Sequence, residues 1–437
     1  MKALFYLSLL AVPCIMTSCE NEIDQFSEYL DSATDEEKKA LRAGYKGNTD
    51  VLDNLKNKNL LTYYCLGAAA AERTELVQIC LEKGADPSSA LGGAALGGHM
   101  ELVQLMLGKG VKPNEGLAVA AFGGHMDIVQ LLLDKGATDY DDGLRGAACS
   151  GHMDIIQLML DKGANPDSGL SGAALGGHMD IVQLMLDKGA KPNEGLKEAA
   201  QRNHTDLIQL LLNKGATDYV AGLRGAAMGG HMETVKFFLD KGVSPDAGLS
   251  WAAAGGHIEI VQFLLNKGAK DDGLALMDSA VMGHRDIVQL LLDKGGDPNM
   301  GLEGAAYGGH IELVQLMLDK GATNYNEGLN QAIRNEDTDI VHLLLSKGAE
   351  PNAGLISAAY WGSLNTVKLM LEKGATDFDT SLQVAAKHGH VNIVKLLLAQ
   401  PGVDVNKKDY RNKTPLELAE KNGHTECAEL LRAAGGR

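Results

Sequence analysis

One phrase recurs along this chain. GGHMDIVQLMLDKGA fills residues 176–190, and near copies begin at residues 123, 150 and 308. Self-similarity at a fixed period constrains a fold more than composition does. Every copy must take one shape and pack against the next. The histidine of the phrase serves as a ruler. Its slot holds His99, His125, His152, His178, His204, His231, His257, His284 and His310, and later His390 and His424. Asn48, Arg73, Asp337 and Ser363 occupy it in weaker copies. Fifteen repeats therefore run from residue 40 to the end, 25 to 27 residues apart until the last step of 34.

Each repeat reads as two helices. After His125, the residues Ile128, Val129, Leu131, Leu132 and Leu133 are apolar, while Asp127, Gln130 and Asp134 share one stripe. That pattern is a helix buried on all sides but one. Asp127 at its start and Lys135 at its end suit the helix dipole, and Gly136 is placed to stop it. Upstream, 116–121 predicts a shorter, alanine-rich helix, with Gly123 and Gly124 as the turn between the two. Such a pair cannot bury its apolar face alone, so stacking is required.

From Tyr140 onward the connecting loops mostly alternate, although Pro192 follows Pro166 directly and Lys270-Asp271-Asp272 lacks the aromatic. Short ones carry proline, as in Asn165-Pro166-Asp167, Lys191-Pro192-Asn193 and Glu350-Pro351-Asn352. Longer ones carry an aromatic residue, as in Thr138-Asp139-Tyr140, Thr217-Asp218-Tyr219 and Thr376-Asp377-Phe378. The alternation predicts a two-repeat period in which each Tyr packs over a neighbouring proline loop.

The N-terminus follows different rules. MKALFYLSLLAVPCIMTSC has one lysine, an apolar run interrupted by Pro13, and small polar residues. It is too short to span a bilayer and matches an export signal; the alternative is an apolar helix that caps the first repeat. The segment MTSC resembles the lipobox of bacterial lipoproteins, with Met16 standing where Leu, Val or Ile is usual. That resemblance implies cleavage before Cys19 and acylation of Cys19, a tether that does not span the membrane. The expected organisation is a signal over 1–19, an acidic spacer or cap over 20–39, short repeats over 40–402, and a full-length repeat over 403–437. Thr34-Asp35-Glu36-Glu37 reads as a helix-starting capping box.

Ala-Ala-x-x-Gly-His, then Ile-Val-x-Leu-Leu-Leu, then Lys-Gly-Ala resembles the ankyrin repeat. The final copy adds Lys413-Thr414-Pro415-Leu416 and Asn422-Gly423-His424. The resemblance implies an all-α, ankyrin-type solenoid of about 15 helix-turn-helix repeats. Most copies lack about seven residues of the roughly 33-residue family pattern, so the β-hairpin fingers are expected to be shortened or missing. The resemblance also implies that the slot histidine braces the turn by bonding to nearby backbone. It further implies that the two positions after Ala-Ala line a concave, partner-binding face. Here those positions include Leu96, Phe122, Cys149, Leu175, Met228, Val281, Tyr307, Tyr360 and Trp361, interrupted by Gln201 with Arg202 and by Arg334 with Asn335. Leu96, Phe122, Leu175, Met228, Tyr307, Tyr360 and Trp361 are the candidate protein-binding residues. Exposed and buried rows look alike in sequence, so burial of the same side chains stays open.

Little else points to chemistry. The net charge of −17 argues against nucleic acid, which needs a basic stripe. The six cysteines form no Cys-x-x-Cys pair. Neither a nucleophile–base pair, nor a phosphate loop, nor a metal constellation stands out, and eleven of the thirteen histidines share the repeated slot. No catalysis, cofactor or metal is expected. The sequence reads as a monomeric protein-binding scaffold, exported and membrane-tethered. The alternatives are a cytoplasmic or host-directed repeat protein, or a spacer without a specific partner.

Overall fold

A computed structural model describes residues 35–437 apart from 54, 56–57 and 271–272. Cys19, the signal, Thr34 and most of the acidic spacer lie outside the described residues. Thirty α-helices form fifteen pairs, and no strand occurs among the described residues. This is the expected all-α solenoid of stacked helix-turn-helix repeats. The chain divides into two compact units, the first ending at Gly296 and the second spanning Asp297–Arg437. The first contains ten helix pairs and the second five.

The pair Tyr140–Ser150 and Met153–Asp161 shows how one repeat is made. The second helix buries Ile155, Ile156 and Met159, and the first buries Leu144, Ala147, Ala148 and Cys149. On the solvated stripe, Gln157 donates to Asp161 at 2.7 Å. Gln130–Asp134 and Gln183–Asp187 repeat that i,i+4 bond. Lys135 stands one residue past its helix, Met126–Asp134, where its charge still faces the open carbonyl end.

The loops start the first helices. In the proline type, Asn165 and Asp297 accept the N–H groups of Asp167 and Asn299, with proline in the first turn where no donor is needed. In the aromatic type, Asp218 and Asp377 cap the N–H groups of Ala221 and Thr380. The last repeat uses a full capping box between Thr414 and Glu417.

Neighbouring loops do touch, and Asn or Asp side chains make the joint. In the first unit, Asn114 accepts the Thr138 N–H at 2.7 Å, Asp141 that of Asn165 at 2.6 Å, and Asp167 that of Lys191 at 2.7 Å. In the second unit, Asn299, Asn326, Asn352 and Asp379 accept from Thr323, Glu350, Thr376 and Asp404. The alternation is legible in the count of bonds. Asn193 accepts two successive N–H groups, from Thr217 and Asp218, and Asn352 two from Thr376 and Asp377. The longer, aromatic loop offers the second donor. These rungs join the loops in repeats too short to build a hairpin.

First helices approach closely where glycine allows it. A Cβ on Gly172 would lie 2.2 Å from the Arg145 carbonyl oxygen of the preceding repeat. Gly146 and Gly225 make the same approach to Ala118 and Lys197.

Candidate functional site

Within each repeat the two positions after Ala-Ala end the first helix, and the approach of the preceding repeat decides whether they meet solvent. In the first unit Leu96, Phe122, Cys149 and Leu175 are buried, and Met228 and Val281 are half-buried. In the second unit Tyr307 is half-buried, while Tyr360 and Trp361 are exposed at 45% and 42%. Of the residues read as a binding row, the adjacent pair Tyr360–Trp361 is therefore the exposed part. Leu96, Phe122 and Leu175 serve as core, because their neighbours carry small residues that let the helices close over them.

The first unit carries a polar stretch along its first helices. Arg145 pairs with Glu198 at 3.9 Å, and Arg145 Nε is buried without a hydrogen bond. Burial raises the Glu198 carboxyl above its ordinary range, against the pull of Arg145 and Lys197. The Lys197 ammonium lies 4.7 Å from the centre of the Trp251 ring, two repeats on. The repeat between them has Gly225 at the Trp251 position. Arg224, Asp246, Trp251 and Lys270 line a surface crevice of about 380 Å³.

The second unit builds a continuous strip of rings and cations. The Arg334 guanidinium sits 5.3 Å from the Tyr307 ring centre and 4.8 Å from that of Trp361. Tyr360 meets Trp361 edge-on, at 4.8 Å and 79°. Tyr360 also packs on His388 at 4.5 Å, and His388 stacks with His390 at 6.2 Å. His388 Nε2 is buried without a hydrogen bond, and burial, with Lys387 beside it, holds its pKa below the ordinary value. Sequence reading took Arg334 as a polar gap in the row and passed over His388. The signal was present: Tyr307, Arg334, Trp361 and His388 stand 27 residues apart in succession.

The repeated histidines act between repeats. His125 Nε2 donates to the Leu96 carbonyl at 2.9 Å, His178 to Cys149 at 3.0 Å, and His257 to Met228 at 3.0 Å. The backbone carbonyl that the histidine braces belongs to the preceding repeat. Arg73 and Asn335 fill the same role by donating to Tyr45 and Tyr307. Burial lowers the pKa of His152, His204 and His231, which favours neutral rings with the proton on Nε2. In most repeats a turn glycine before the slot makes room for the next ring: Gly124 has φ +75°, and a Cβ there would lie 2.4 Å from His152 Cε1.

Cys65, Cys80, Cys149 and Cys427 are buried free thiols. Cys65 donates to Cys80, and this bond together with burial raises the Cys65 pKa well above the ordinary thiol value. Among the described residues no cluster of His, Cys, Asp or Glu could hold a metal ion. No described helix is long and apolar enough to cross a membrane.

Comparison with known proteins agrees with this geometry. A family model described as ankyrin repeats (3 copies) matches residues 91–169, 144–221, 223–301 and 355–436. No curated protein matches the chain.

Proposed function

The chain belongs to the ankyrin repeat family, and on that premise we propose that it holds a partner protein on the Tyr307–Trp361 face of its second unit. The family supports a protein–protein interaction scaffold in general terms. The observation that carries the finer reading is the exposure of Tyr360 and Trp361 side by side. At the Tyr360 position the first unit buries Leu96, Phe122, Cys149 and Leu175, and at the Trp361 position those repeats carry Gly or Ser. Large aromatic groups left in solvent, fixed by a stacked arginine, have the composition of an interaction hot spot. Replacing Tyr360 and Trp361 with alanine removes partner capture while leaving the fold intact, because neither side chain is core. Phe122→Ala has the opposite profile, lowering stability and sparing capture. Capture unchanged by the double substitution would refute this face.

The same proposal places the protein outside the cytoplasm, anchored through an acylated Cys19. It is supported by the MTSC sequence that ends the apolar N-terminal run. Mass spectrometry of the mature N-terminus tests it: diacylglyceryl-modified Cys19 is the expected species, and an intact Met1 rejects export.

A further inference from the structure

We infer that the strip in the second unit selects an acidic partner segment, one in which an Asp or Glu side chain sits beside an apolar one. This deepens the docking reading above and rests on it. The argument begins with Arg334. Its side chain is exposed, and its guanidinium is held between the Tyr307 and Trp361 rings at 5.3 and 4.8 Å. Contact with both rings restrains the guanidinium while the side chain stays open to solvent. Among the described residues Arg334 forms no ion pair, and its guanidinium donates no hydrogen bond.

That is a notable position for an arginine in a chain with 57 acidic residues and a net charge of −17. A few of the protein's cations meet its own carboxylates, as in Arg432–Glu420 and Lys413–Glu417. At Arg334 the rings take the place of a carboxylate. Lys387 follows at the slot one repeat beyond Tyr360, is exposed, and likewise has no ion pair among the described residues. A planar fork already restrained by stacking loses less conformational freedom on binding a carboxylate than a free arginine does. An exposed ion pair by itself is weak. The neighbouring Tyr360 and Trp361 supply the apolar area that a carboxylate lacks. Two cations set apart by an aromatic pair fit separate carboxylates on an extended chain. They do not form the continuous basic track that a polyphosphate backbone requires.

The test uses the full chain and fluorescence anisotropy with three fluorescein-labelled peptide pools. The pools are identical except at one position preceding a fixed Phe, which is Glu, Gln or Lys. The Glu pool is expected to bind about tenfold or more tightly than the Gln pool, a preference that 1 M salt weakens. Arg334→Gln should abolish the preference, Arg334→Glu should invert it toward the Lys pool, and Trp361→Ala should weaken every pool. Equal binding of the Glu and Gln pools, or a Glu preference that survives Arg334→Gln, overturns the acidic selection. If binding in that case still falls with Trp361→Ala, the docking face stands and only the partner chemistry is wrong. Binding of no pool overturns the inference outright.

Discussion

Replacing Gly172 with alanine tests the packing on which the whole stack depends. In the interior of the helix Pro166–Gly176 alanine is the better residue, by about 0.5–1 kcal/mol from backbone entropy alone. The neighbour opposes this. The added Cβ would lie 2.2 Å from the Arg145 carbonyl oxygen and 3.0 Å from its carbonyl carbon. Both are backbone atoms, so no side chain can rotate away, and the two helices must separate by roughly 1 Å. Overpacking of this kind costs about 1–3 kcal/mol. The expected net change is a destabilisation of about 1–2 kcal/mol, which repeat coupling passes to the adjoining pairs. Gly108→Ala is the control. It lies in the helix Met100–Gly108 with nothing within 4 Å of the added atom, and should stabilise by about 0.5–1 kcal/mol. Urea denaturation followed by circular dichroism gives the sign of each change. Hydrogen exchange over residues 140–176 locates the first. Equal or greater stability of Gly172→Ala would refute the close approach of the first helices.

Asn352→Ala removes two rungs, to the Thr376 and Asp377 N–H groups. It should cost about 1–2 kcal/mol and speed exchange of those two amides, measured by hydrogen-exchange mass spectrometry. Stability should also fall on mild acidification. His152, His204 and His231 titrate below their ordinary value of 6.5 in the folded chain, so the unfolded chain binds more protons. Their contribution is complete above about pH 6.5 and is lost as the pH drops through the lowered folded values. Urea midpoints at pH 7.5, 6.5 and 5.5 should decline, and changing the three histidines to Gln should flatten that decline. The raised carboxyls of Asp142, Glu198 and Glu303 act with the opposite sign, their contribution being lost as the pH rises, so the histidine-to-Gln comparison isolates the histidine part. Finally, Cys65, Cys80, Cys149 and Cys427 should resist an aromatic disulfide reagent until urea opens the stack, as read by mass mapping of the labelled peptides.

Periodic residues made most of the fold legible. The histidine slot counted the repeats, because the ring's bond to the preceding repeat keeps the residue in most of them. Helix limits followed from local chemistry: proline and Asx at the starts, glycine past the ends. The loop alternation was visible too, although the joint is an Asx side chain on a neighbour's N–H, a contact between residues 24 or 25 apart. Spacing alone does not reveal such a bond.

The candidate face was legible only in part. Leu175 and Tyr360 occupy the same place in their repeats, and by sequence both are apolar groups at the end of a first helix. Leu175 is 2% exposed and Tyr360 45%. The difference arises from how closely each first helix approaches the helix of the adjoining repeat, which the residues beside Leu175 and Tyr360 decide. Gly172 and Gly176 draw two helices together, whereas Ser357 and Trp361 stand at the matching positions beside Tyr360. Arg334 read as a break in the row because its charge differs from its neighbours. Only the stack shows Tyr307 and Trp361 on either side of it. The sequence thus determined which segments are helices and that they must pile in order, since both follow from contacts within a repeat and its period. Tertiary structure alone decided which side chains meet solvent, because that depends on distances between helices of adjoining repeats.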